Sequence, residues 1–261
     1  MIHYAHAVSP LLLLSVLLLL AVVPATLLLV LVRHARAPES LRREHDVVAA
    51  TFTVVGSLYG VLLAFMVMTV STQYSATLAI CESEGSALAN LHRDSYGLPA
   101  ASQVSIRQAL IDYAHAVIED EWPALRHRQD CPKATAAMDG IWKLYHGVKP
   151  GDERERAWLQ QSISGLNELA GLRRMRILAS QDTLGWMMWL LLIAGGVVTT
   201  GFMTFFGVER FRSHLILTLS LAGLIVLILS VVCSLDNPYW GEPRINPTSF
   251  LRFLAHHPTP E

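Results

Sequence analysis

The chain has 261 residues, of which 52% are hydrophobic and 16% charged, with a formal net charge of -1. A soluble domain carries about 25% charged residues, so this balance points to an integral membrane protein. The near-zero net charge offers nucleic acid no basic field, and no phosphate loop, HExxH helix or Ser-His-Asp order supports an enzyme or a cofactor site.

Val8 to Val32 is the first apolar run. No Lys or Arg precedes it, and it continues well past Val22 to Ala25. It therefore reads as a retained first transmembrane helix and not as a cleaved signal. Pro24 is expected to kink it, and its Leu and Val content suits lipid. Arg33 to Asp46 is a charged connection with Arg33, Arg36, Arg42 and Arg43, closing a first segment of residues 1–46.

Residues 47–93 form the central stretch, which begins DVVAATFTVVGSLYGVLLAFMVMTVSTQY and runs on into SATLAICESEGSALANLHR. Val47 to Ser71 is apolar and long enough for a hydrocarbon core of ~30 Å at ~1.5 Å per residue. No proline or turn signal separates it from the polar continuation. One long helix is expected to cross the membrane and project beyond it. Thr51, Thr53, Gly56, Ser57, Tyr59, Gly60 and Thr69 recur along its membrane half. Such residues either admit close helix packing or face a wet path. Beyond the membrane, Ile80, Ala87, Leu88 and Leu91 keep helical spacing. Tyr96-Gly97-Leu98-Pro99 is the expected stop.

Residues 94–182 read as a helical extramembrane domain. Ser102 to Arg128 carries a stripe of Ile111, Ala114, Ile118, Trp122 and Leu125, bent at Pro123. Ala134 to His146 is a shorter helix. Asp152 and Glu155 have capping-box spacing and start another, which ends in Arg173, Arg174 and Arg176. These three arginines suit the helix dipole and anionic lipid headgroups. Trp122, Trp142 and Trp158 read as core anchors. Residues 183–235 are a transmembrane hairpin, with spans near Leu184 to Val208 and Leu215 to Leu235. Residues 236–261, rich in Pro and aromatic residues at their start, are expected to lie along the interface.

The cysteines Cys81, Cys131 and Cys233 form no CxxC pair, which argues against zinc. They read as free structural thiols. Pairing of Cys81 with Cys131 stays open if their compartment is oxidising. His3 with His6, and His256 with His257, lie in tails and are not read as metal ligands.

The fold class expected is all-α: four transmembrane helices with a helical domain between the second and third. VVGSLYGVLLAFMV, the helix with Glu82 and Glu84, DYAHAVIEDEWPAL, RRMRILAS and LDNPYWGEPRINPTSF together resemble the bacterial bestrophin-like membrane family. The resemblance runs from about Val47 to Leu254. It implies a homo-oligomer whose second helix lines an ion pore, and it brings no residue with an assigned chemical role. No aromatic-rich neck motif of bestrophin type is evident, so anion selectivity is not implied.

The function expected is an oligomeric ion channel in a bacterial inner membrane. Thr53, Gly56, Ser57, Gly60, Ala64, Val67 and Met68 share a stripe at helical period and are the expected pore lining. Glu82 and Glu84 would ring a vestibule and favour cations. The alternative is a non-conducting sensor or assembly scaffold whose helical domain binds a partner. The partners expected are the lipid bilayer, inorganic ions and further copies of the chain, four or five to a ring. The arginines after the first run place the N-terminus and the helical domain in the periplasm, although Arg173, Arg174 and Arg176 argue the other way.

Overall fold

The computed structural model describes the backbone of residues 10–35, 45–240 and 243–257. His3, His6, Arg36, Arg42 and Arg43 lie outside the described residues. The helices are α1 (Pro10–Ala35), α2 (His45–Asp94), α3 (Ala100–Ala116), α4 (Trp122–Arg126), α5 (Pro132–Gly147), α6 (Glu153–Gln181), α7 (Trp186–Met203), α8 (Phe211–Leu235) and α9 (Thr248–His256). Among the described residues there is no strand.

The central helix is one unbroken element of 50 residues. It stops where the Gly-then-Pro signal stands, passing through a 3-10 turn at Ser95–Gly97. α2, α7 and α8 are long and apolar enough to cross a membrane, while α1 is apolar over Ala21–Ala35. α1 continues through Pro24 as helix.

The chain divides into two compact units. The first holds residues 1–72 and 184–236. Here α8 packs along α1 and against α7. Arg33 donates from Nη2 to the Glu209 carbonyl at 2.9 Å and lies over the Phe211 ring. Asp236 accepts the Leu184 backbone N–H at 2.7 Å and ties the start of α7 to the end of α8.

The second unit holds residues 73–183 and 237–261. Its core draws Leu88 and Leu91 from α2, Leu110 and Tyr113 from α3, Ile141 and Tyr145 from α5, and Leu166 and Leu169 from α6. Asp152 accepts the Glu155 backbone N–H at 2.7 Å, so the cap expected from their spacing is present. Glu155 does not complete a reciprocal box; its carboxylate takes the Gly151 N–H instead. Trp122 is a core anchor, whereas Trp142 is half-buried and Trp158 is partly exposed.

The expectation of an interfacial tail is corrected for its described part. Tyr239, Ile245, Phe250 and Phe253 are all buried in the core of the second unit, and Trp122 donates its indole N–H to the Ile245 carbonyl at 3.1 Å. Gly85 on α2 permits this docking. A Cβ there would stand 2.4 Å from the Ser249 Cβ, and Ser249 donates to the Cys81 carbonyl at 2.9 Å. The aromatic residues resembled a membrane belt in sequence because belts and cores draw on the same residue types.

Candidate functional site

In the first unit α2 has one closed face. Tyr59, Leu63, Met66 and Val70 recur at three- and four-residue steps and are buried against Leu192 of α7 and Ile225 and Val232 of α8. Tyr59 rests on two glycines. A Cβ on Gly195 would lie 2.5 Å from the Tyr59 ring, and one on Gly196 would lie 3.0 Å from its hydroxyl. That hydroxyl donates to the Leu192 carbonyl at 2.9 Å. Small residues here let a large side chain approach backbone, as helix packing in lipid requires.

The remaining faces are open. Thr53, Ser57, Gly60, Ala64 and Met68 are exposed, and Gly56 and Val67 are half-buried. At ~100° per residue, Thr53, Ser57, Gly60 and Ala64 form one flank of small residues. Val54, Leu58, Val61 and Phe65 form the next flank, bulky and equally exposed. A Cβ on Gly60 would meet nothing within 4 Å. The hydroxyls of the small flank are turned onto the helix itself. Thr53 donates to the Ala49 carbonyl at 2.9 Å, and Ser57 to the Thr53 carbonyl at 2.6 Å. With their protons so used, they present lone pairs outward.

In the second unit α2 carries a buried charge cluster. Glu84 and Arg176 are both fully buried. Arg176 donates from Nε to Glu84 Oε2 at 2.5 Å and from Nη2 to Glu84 Oε1 at 3.1 Å. The same Nη2 reaches Glu121 Oε2 at 2.5 Å. Arg173 grips the other side of Glu121, with Nη2 at 2.5 Å from Oε1, and also bonds Thr135. Tyr113 donates its hydroxyl to Glu84 Oε1 at 2.7 Å. The Arg176 guanidinium lies 5.1 Å from the Trp122 ring centre and 6.0 Å from that of Phe250, in cation–π range.

Two carboxylates face two guanidiniums, so the formal charges cancel. Burial works against the charge on Arg176, but Glu84 and then Glu121 outweigh it and hold the guanidinium firmly protonated. Burial likewise pushes Glu121 up, and Arg176 and Arg173 overcome it, leaving its carboxyl below the ordinary 4.5. The Tyr113 hydroxyl is pushed well up, by burial first and then by the Glu84 charge.

Three expectations are corrected by this cluster. Glu84 does not ring an open vestibule, and Arg173 and Arg176 are not free for lipid headgroups. Glu84 and Arg176 have no exposed surface, and the three side chains neutralise one another and Glu121. Glu82 and Arg174 are exposed. The signal lay in the period: Thr77, Cys81, Glu84, Leu88 and Leu91 share one helical face, as do Leu166, Leu169, Arg173, Arg176 and Ser180. Opposite charges at core positions of two helices call for each other. Glu121, four residues after Val117 on a stripe that buries Tyr113 and Ala114, was missed altogether. Cys81 and Cys131 are buried and unpaired thiols; burial pushes the Cys81 thiol up to about 11.

Residues 19–250 match the Bestrophin-like domain. This chain belongs to the bestrophin-like family. No protein with curated function matches it. Among solved structures, the bestrophin-like chain is similar to a bacterial bestrophin homologue from Klebsiella pneumoniae. A tryptophan-to-alanine variant of that protein aligns at TM-score 0.63 and 14% identity, over 95% of this chain and 97% of its own. A leucine-to-threonine variant aligns at TM-score 0.63 and 14% identity, over 94% of this chain and 99% of its own. A structure described as a membrane protein, a leucine-to-alanine variant, aligns at TM-score 0.60 and 14% identity, over 91% and 96%. At that identity the likeness speaks for the fold.

Proposed function

We propose that this bestrophin-like chain assembles into a ring that conducts ions along the apolar half of α2. The observation that carries this reading is the small open flank of that helix, Thr53, Ser57, Gly60 and Ala64, about a third of a turn round from a face already closed by α7 and α8. Four spans, with α1 as the first, and a bacterial inner-membrane location complete the reading. A ring of four or five copies turns the small flank to the axis and the bulky flank, with Phe65, to the neighbouring subunit. Gly56 and Val67 border the path and Met68 narrows its apolar end. Outward lone pairs on Thr53 and Ser57 favour cations or water over anions, and Glu82 adds a negative potential beyond the bilayer.

The orientation follows from the same accounting. The cations that follow α1 in the sequence support a periplasmic N-terminus and helical unit. Arg173 and Arg176 argue less strongly against this once their charge is matched by Glu121 and Glu84. An active cytoplasmic reporter fused at Pro150 overturns that placement.

Ion flux through vesicles holding the purified protein tests the reading. Gly60→Leu fills open space, and is expected to abolish flux while leaving assembly intact. Glu82→Lys is expected to lower cation flux most at low salt, where screening is weakest. A monomer by mass, or unchanged flux in both variants with the ring intact, removes α2 from the path and leaves the scaffold reading.

A further inference from the structure

The end of α9 meets α2 through histidines. His92 on α2 is 4% exposed. Its ring faces that of His257, just beyond α9, with centroids 3.9 Å apart and planes tilted by 34°. Phe253 meets His92 edge-on at 5.6 Å, and Tyr96 does so at 6.1 Å. Arg107 of α3 lies with its guanidinium 4.3 Å from the centre of the Tyr96 ring. His256 bonds the Arg252 carbonyl one turn back along α9.

We propose that this contact is a proton-released latch: the neutral imidazole pair holds the end of α9 on α2, and acidification frees it. The groups around His92 decide the sign. From α3 comes the Arg107 cation, and from α9 come His257 and, behind it, His256. On α2 itself Arg93 is engaged with Asn90, and Asp94 acts on Tyr145. The charges that act on His92 are thus His257 and Arg107, both positive when ionised. A proton on either ring of the stacked pair loses water to burial and meets a like charge.

Burial first, and then His257 and Arg107, hold His92 down at about 4 against an ordinary 6.5. Burial and then His256 lower His257 as well. A released α9 end returns both rings to their ordinary affinity. The latch is therefore at full strength above about 6.5 and weakens as pH falls from there toward 4. The other end of α9 has no such sensitivity. It is held by Phe250 in the core and by Ser249 on the Cys81 carbonyl. Release starts at His257 and works back toward Phe250, whose ring centre lies 6.0 Å from the Arg176 guanidinium.

Hydrogen exchange of the full-length protein in nanodiscs tests this, with each amide normalised to its intrinsic rate at about pH 7.5 and about pH 5. Protection at Phe253 to His257 is expected to fall on the order of tenfold at the lower pH. Protection at Ile141 and Leu166 should hold. His92→Phe keeps a ring in the stack and is expected to leave only the smaller pH sensitivity that His257 carries. Should that variant fail to fold, Arg107→Gln serves instead, because losing one cation shrinks the fall. The latch is overturned if wild-type protection at Phe253 to His257 is the same at both pH values. It is equally overturned if a folded variant loses protection as the wild type does, or if Ile141 and Leu166 lose protection in step with the α9 end.

Discussion

Along its first half α2 is fixed by a tyrosine resting on two glycines; along its second half it is fixed by a carboxylate clamped by an arginine. The contrast follows from the surroundings each half is built for. Between apolar spans, lipid competes with side chains for every apolar contact, so close approach and one interhelical hydrogen bond set the fit. In the helical unit, apolar burial supplies the stability and the ions supply direction. A buried ion pair tolerates few arrangements, because any charge left unmatched is costly. The rotation of one helix is thus set twice, by shape and then by charge.

The charged fixation breaks most expensively. Arg176→Met strands Glu84 and Glu121 without water or a full set of donors. It is expected to cost about 3–5 kcal/mol, read as a lower melting temperature of the detergent-solubilised protein. Glu84→Gln added to it is expected to recover part of that loss. A single variant as stable as wild type would show that the cluster holds nothing.

The steric fixation comes next. Gly195→Ala places a methyl inside the Tyr59 ring's contact distance. The ring must shift and its bond to the Leu192 carbonyl stretch. The expected loss is about 1–3 kcal/mol, and thermal melting of the variant in micelles measures it. Melting unchanged within error would mean that Tyr59 has another place to go.

Much of this architecture could be read from residue order, and the reasons it could be read are local. Helix lengths, the Gly97-Leu98-Pro99 stop and the Asp152 cap depend on neighbours within one turn. The hydrophobic period marked which side of each helix is buried. What escaped is whatever depends on partners far along the chain. Glu84 and Arg176 are 92 residues apart, and each alone looks like an ordinary surface charge. Tyr239 and Phe250 looked interfacial because composition cannot tell a wet rim from a core. In the small flank of α2, composition and spacing pointed to the same positions that lie exposed, but which of them borders a path depends on further copies of the chain.

Smaller perturbations sharpen the contrast. Tyr59→Phe removes one hydrogen bond and leaves the ring on its glycines. The loss should be about 1 kcal/mol, well below that of Gly195→Ala. A larger loss would put the hydrogen bond, and not the shape, in charge. Acid gives the gentlest probe of the ionic half. Glu121 is held below 4.5 when folded, so its contribution is present above that value and is lost as pH falls through the folded one. Melting followed downward from about pH 5 should show a decline below 4.5 that Glu121→Gln removes. A decline of the same size in that variant would trace it to other carboxylates.

The widened turn at Val117–Glu121 bears on how this protein tolerates change. The Trp122 N–H reaches back to the Val117 carbonyl, five residues away, one residue before a proline that has no N–H to give. Such a turn holds one residue more than a regular helix, and it advances the phase of everything after it by roughly 100°. That offset lets two consecutive residues, Glu121 and Trp122, both point inward, one to neutralise Arg176 and the other to cover it. Exposed side chains along α3, such as Ala101, Val104 and Asp112, can therefore be substituted at little cost. Losing or gaining a single position there would throw the ion or its aromatic cover out of register, a frameshift written in space instead of in codons.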